Sequence, residues 1–147
     1  MPFKNKTQNK RKDRRKMIEK QKYILVVDDE INVRTVFSDI LKKEGYYVRG
    51  AKDGYEAIKA VDKESFDLVL VDLGMPRMNG IETLENIKKR KPQLQVIIYT
   101  EYGSIATAVE AIRKGAVDYL NEPFSPRELK LSIKKALEQK YREEAPV

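Results

Sequence analysis

Tyr23-Ile24-Leu25-Val26-Val27-Asp28-Asp29 is a β-branched-rich apolar run that stops abruptly at two carboxylates. Leu68-Val69-Leu70-Val71-Asp72 repeats the pattern, and Val96-Ile97-Ile98-Tyr99-Thr100 is a third run that ends in a hydroxyl. Continuous apolar runs of this length suit strands buried on both faces of a parallel sheet. Weaker strands are read at Tyr47–Ala51 and Val117–Leu120.

Between the runs the period changes. Val33, Val36, Phe37, Ile40 and Leu41 fall on one helical face, as do Ile105, Ala108, Val109 and Ile112, and again Leu129, Ile133, Ala136 and Leu137. Gly45 and Gly115 stand where helix C-termini are needed. Asp53 with Glu56, Asn79 with Glu82, and Ser125 with Glu128 each set an N-cap three residues ahead of a Glu, and Pro126 takes a first helical position. The spacing predicts helices near 31–44, 54–65, 81–90, 104–114 and 126–141. Alternation of β and α with short connections predicts an α/β fold, a doubly wound (βα)5 parallel sheet covered on both faces. No linker interrupts residues 23–141, and no repeat beyond the βα rhythm is present.

The 147 residues suffice for one domain with a proper core, and 41% of them are hydrophobic. No apolar run approaches the ~18 residues a membrane helix needs, and no secretory signal is present. The absence of Cys and His excludes disulfides, Cys/His zinc sites, Cys or His nucleophiles and His general bases. Any bound metal must be held by oxygen. The net charge of +7 is unevenly spread: residues 1–22 hold ten Lys/Arg against Asp13 and Glu19, a net of +8, and the rest carries −1. The basic arm 1–22 is expected to be disordered, because its cations repel and little apolar surface is available to bury. Such an arm can bind nucleic acid, but aromatic interleaving is missing beyond Phe3, so that role is not favoured.

In open α/β sheets, ligands sit beyond the carboxyl ends of the strands at the point where strand order reverses. Asp28 and Asp29 follow the first strand and Asp72 ends the third; in the flavodoxin-like order 2-1-3-4-5 these strands are adjacent. Thr100 ends the fourth and is expected to face the same crevice. Three carboxylates converging without a cation call for a divalent metal, and oxygen ligands with open positions fit Mg2+. One carboxylate can then attack phosphorus to form an acyl phosphate. The plain alternative makes Asp28 and Asp29 an N-cap and its neighbour for the first helix.

These motifs resemble those of bacterial response-regulator receiver domains. Ile24-Leu25-Val26-Val27-Asp28-Asp29-Glu30 is similar to their opening, Val71-Asp72-Leu73-Gly74-Met75-Pro76-Arg77-Met78-Asn79-Gly80 to their phosphoacceptor loop, and Gly115-Ala116-Val117-Asp118-Tyr119-Leu120 to the segment before their last helix. The resemblance covers about residues 23–140. It implies that Asp72 takes a phosphoryl group from a sensor histidine kinase or phosphotransfer protein. It also implies that Asp29, Asp72 and the Gly74 carbonyl ligate Mg2+ with Asp28 helping through water. Thr100 would bind a phosphoryl oxygen, and Tyr119 would be an aromatic switch that turns inward. Read without the resemblance, Thr100 merely ends a strand and Tyr119 is sheet packing. Tyr102-Gly103-Ser104-Ile105 through Ala111 most resembles receivers that precede the ATPase domain of enhancer-binding transcription activators.

Two positions depart from the family pattern. Glu122-Pro123-Phe124 has Glu where receivers have Lys, and Glu101 follows Thr100 where the residue is normally small. The resemblance implies that the Glu122–Pro123 peptide is cis, and Glu122 is expected either to swing to solvent or to share in divalent binding. The expectation is a cytoplasmic phosphorelay switch, not an enzyme, that changes partner binding or self-association through the face of helix four, strand five and helix five. The alternative is a degenerate receiver, a phosphate-independent interaction module. Receiver residues 23–141 lie between the arm and a tail at 142–147. Because Glu143-Glu144-Ala145-Pro146-Val147 breaks the last helix, a stand-alone receiver is expected over a fragment of a longer regulator.

Overall fold

A computed structural model describes residues 21–144. Nearly all of the basic arm, and the last three residues, lie outside that range, so the expected disorder of the arm does too. Five strands, β1 (Tyr23–Val27), β2 (Tyr47–Ala51), β3 (Leu68–Asp72), β4 (Gln95–Thr100) and β5 (Asp118–Asn121), alternate with five helices. The helices are α1 (Ile31–Lys43), α2 (Gly54–Lys63), α3 (Gly80–Arg90), α4 (Ile105–Arg113) and α5 (Pro126–Glu144). All pairings are parallel, as the strand pattern predicts, and the order β2-β1-β3-β4-β5 is the flavodoxin-like one expected for the sheet.

Strand residues alternate between two cores, as the period of two requires. Leu25, Val27, Val69, Val71, Val96 and Ile98 pack on one face against α2 and α3, through Ala57, Val61, Leu84 and Ile87, with Ala111 of α4. Ile24, Val26, Leu68, Leu70, Ile97 and Tyr99 pack on the other against Phe37 and Leu41 of α1 and Leu129, Ile133 and Ala136 of α5. Each such aliphatic side chain stabilises by roughly 1.5–3 kcal/mol over its exposed state. The three central strands therefore cannot shift register without exposing one core.

The caps are formed by the expected residues. Asp53 accepts from the Glu56 amide, Asn79 from Glu82 in a capping box, and Ser125 from Glu128. Gly45 and Gly115 take positive φ just past α1 and α4. One expectation needs correction. The last helix runs to Glu144 instead of stopping at 141, since no Gly or Pro interrupts residues 127–144. The apolar stripe of α4 is not core: Ile105 is 86% exposed, Val109 and Ile112 are about half exposed, and Ala111 is the buried residue.

Candidate metal centre

β1 and β3 pair with Val27 opposite Val71, so the residues that follow emerge side by side. Asp28 is buried, Asp29 exposed and Asp72 half-buried, and one carboxylate oxygen from each lies within 4.8 Å of the others. Neither Asp28 nor Asp29 caps α1. The N-cap is Glu30, which makes no side-chain cap bond, so the plain alternative for the pair falls away. Instead Asp28 is itself held: its Oδ1 accepts from the Glu30 amide at 2.8 Å and its Oδ2 from the Tyr99 hydroxyl at 2.5 Å. The Gly74 amide donates to Asp72 Oδ1 at 3.2 Å.

Burial pushes the Asp72 carboxyl up to about 6, opposed by the Gly74 amide and reinforced by Asp28, Asp29 and Glu122. Burial also raises Asp28; the Tyr99 hydroxyl and Glu30 amide counter it, Asp29 adds to it, and Arg34 counters it again. Oxygen donors on three convergent carboxylates fit a hard divalent cation such as Mg2+.

Thr100 is buried, and its Oγ1 accepts from the Tyr102 amide at 3.2 Å. The Tyr119 hydroxyl pairs with Thr107 Oγ1 at 2.8 Å, beside the Ser104–Thr107 capping box of α4, and not with Thr100. Both side chains flank Gly103: a Cβ there would lie 2.5 Å from the Tyr119 hydroxyl and 3.0 Å from Thr100 Cγ2. The Glu122–Pro123 peptide is cis, and the Glu122 amide donates to the Thr100 carbonyl at 2.8 Å. Glu122 is half-buried and outside the three-carboxylate group. Burial, then Glu101, Asp28 and Glu30, raise its carboxyl, and no ion pair reaches it among the described residues.

Two residues escape the sequence reading. The Arg34 guanidinium, its stem passing over Gly50, donates to the Asp28 carbonyl at 2.6 Å and brings a cation to a cluster that the sequence shows only as acids. Tyr99 carries a hydroxyl directly after the aliphatic Val96–Ile98 of a buried strand, a signal that a polar partner must lie nearby.

The family model described as the response regulator receiver domain matches residues 24–134. The chain belongs to this receiver family. Receivers are signalling modules of two-component phosphorelays that generally bind Mg2+ through acidic residues, and this receiver has the aspartate cluster to do so. It is 44% identical over 124 residues to the transcriptional regulatory protein ZraR of Klebsiella oxytoca, a match covering 84% of this chain but 28% of that protein. The receiver thus spans about a quarter of the length of its curated relatives. A CheY-like receiver from Methanospirillum hungatei superposes with a TM-score of 0.81 at 35% identity, covering 84% of this chain and 98% of that one. The receiver domain of NtrX from Brucella abortus does so at 0.75 and 40%, covering 78% and 98%. Among the described residues of the receiver, no helix is long and apolar enough to cross a membrane.

Proposed function

We propose that this receiver is a phosphorylation switch in which Asp72 is the acceptor. A carboxylate oxygen of Asp72 attacks the phosphorus of a phosphohistidine on a sensor kinase or phosphotransfer protein. The new P–O bond replaces the P–N bond, and the imidazole leaves with the electron pair. Asp29, Asp72 and the Gly74 carbonyl would hold Mg2+, with Asp28 acting through water. Thr100 would then bond a phosphoryl oxygen, drawing Tyr119 away from Thr107. The observation that carries this reading is the set of three carboxylates within 4.8 Å at the ends of β1 and β3.

The output surface in this reading is the face of α4, β5 and α5, which meets a partner or a second copy. The exposed stripe of Ile105, Val109 and Ile112 supports it. The reading treats residues 23–141 as the receiver, places it in the cytoplasm and gives it no catalytic role of its own. Incubation with Mg2+ and acetyl phosphate, followed by intact mass, tests it. One phosphoryl group should add to the native chain and none to Asp72→Asn; equal labelling of that variant removes Asp72 as acceptor.

One observation favours a second reading, a degenerate receiver that binds partners regardless of phosphate. Glu122 stands where the family has Lys and adds charge beside Glu101, Asp28 and Glu30. Failure of the native chain to label at any Mg2+ concentration would select it.

A further inference from the structure

We propose that Tyr99 is a positioning residue of the acidic centre, its buried hydroxyl holding the Asp28 carboxylate in the orientation in which the centre takes a divalent cation. The inference rests on the metal reading above and adds a residue to it. Tyr99 sits on β4 opposite Asp72, so its ring must reach across β3 to touch the end of β1. There the hydroxyl lies 2.5 Å from Asp28 Oδ2 and 3.4 Å from the Val27 carbonyl. A phenol has one proton to give, and the shorter, charge-assisted bond to the carboxylate takes it.

The other oxygen of Asp28 already accepts from the Glu30 amide at 2.8 Å. With a fixed donor on each oxygen the carboxylate cannot rotate about its Cβ–Cγ bond without breaking both. Each oxygen keeps one lone-pair direction for a metal-bound water. The ring is equally constrained. It is 2% exposed and packs edge-on to Phe37 at 5.0 Å and to Phe124 at 6.5 Å. Phe37 belongs to α1, and Phe124 to the loop that carries Glu122. The hydroxyl is therefore aimed by the core, and Asp28 is aimed by the hydroxyl, the usual relation between a metal-site carboxylate and its outer partner.

The competing account is that the phenol only satisfies its own polar atom. Calorimetric Mg2+ titration of the full chain separates the two, using the native protein, Tyr99→Phe, Asp28→Asn, the double variant and Asp29→Ala. Tyr99→Phe keeps the ring among Phe37 and Phe124 and removes only the donor. It should weaken Mg2+ binding about ten-fold or more, and in the Asp28→Asn background it should weaken binding no further. Unchanged affinity in Tyr99→Phe, or an equal loss with and without the Asp28 carboxylate, overturns the proposal. Should Tyr99→Phe fail to fold, Tyr99→Met takes its place in the cycle, where the same two results overturn the proposal. A native chain that binds no Mg2+ removes the metal reading and this proposal together. Binding that Asp29→Ala abolishes and Tyr99→Phe leaves intact removes only the role of Tyr99.

Discussion

Asp72 ends β3 with a carboxyl raised from its ordinary value of 3.8 to about 6, chiefly by burial. A carboxyl raised by folding contributes stability while protonated: all of it is present below 3.8 and is lost as pH rises through about 6. Asp72→Asn should therefore stabilise the metal-free domain by about 1–2 kcal/mol at pH 7.5 and by little at pH 4, read as urea midpoints at both values. A second residue-scale outcome concerns Glu122. Replacing repulsion by attraction beside Asp72 lowers the barrier to anionic phosphoryl donors, and each ~1.4 kcal/mol is ten-fold in rate. Glu122→Lys should speed acetyl-phosphate labelling of Asp72 on the order of ten-fold, as followed by intact mass over time; an unchanged rate makes Glu122 a tolerated residue. The three aspartates were legible in the sequence because acids at strand ends stand out against apolar runs, and Glu122 only because it departs from the lysine of the family pattern. Arg34 was not, since its use depends on the gap over Gly50 that only packing creates.

At the scale of elements, α3 begins directly beneath the backbone of Asp72. A Cβ on Gly80 would lie 2.5 Å from the Asp72 carbonyl oxygen and 2.6 Å from Leu73 Cα, and backbone cannot yield as a side-chain tip can. Gly80→Ala should cost about 2 kcal/mol or more in urea unfolding and weaken Mg2+ binding as well, because relief requires Asp72 to move. A variant with native stability and affinity would show that α3 slides instead. Helix positions and caps were readable from period and polar residues: Asn79 and Glu82 form the box their spacing predicts. Burial was readable only where the covering element belongs to the same domain. Ile105, Val109 and Ile112 announce a helix, yet nothing in the sequence says whether a core or a partner covers them.

Across the whole molecule the parallel sheet separates two cores, as strands that are apolar on both sides require. Which helix takes which face was not legible, because α1 and α2 have similar apolar patterns and only the crossovers distribute them. β4 is buried at every position and paired on both flanks by β3 and β5. One residue later the chain is exposed at Glu101 and Tyr102, and the amides of Tyr102 and Gly103 are held by side chains, Thr100 Oγ1 and Asn121 Oδ1. The boundary after Thr100 thus divides two regimes of solvent proton access. Amides of Ile97 through Tyr99 should exchange with deuterium only when the entire domain opens, at rates that climb steeply with added denaturant. Those of Tyr102 and Gly103 should exchange through a local fluctuation that denaturant barely alters. Residue-resolved native-state exchange would read both; matching denaturant dependence on the two sides would mean that the loop opens only with the sheet, leaving it no independent motion with which to relay a signal.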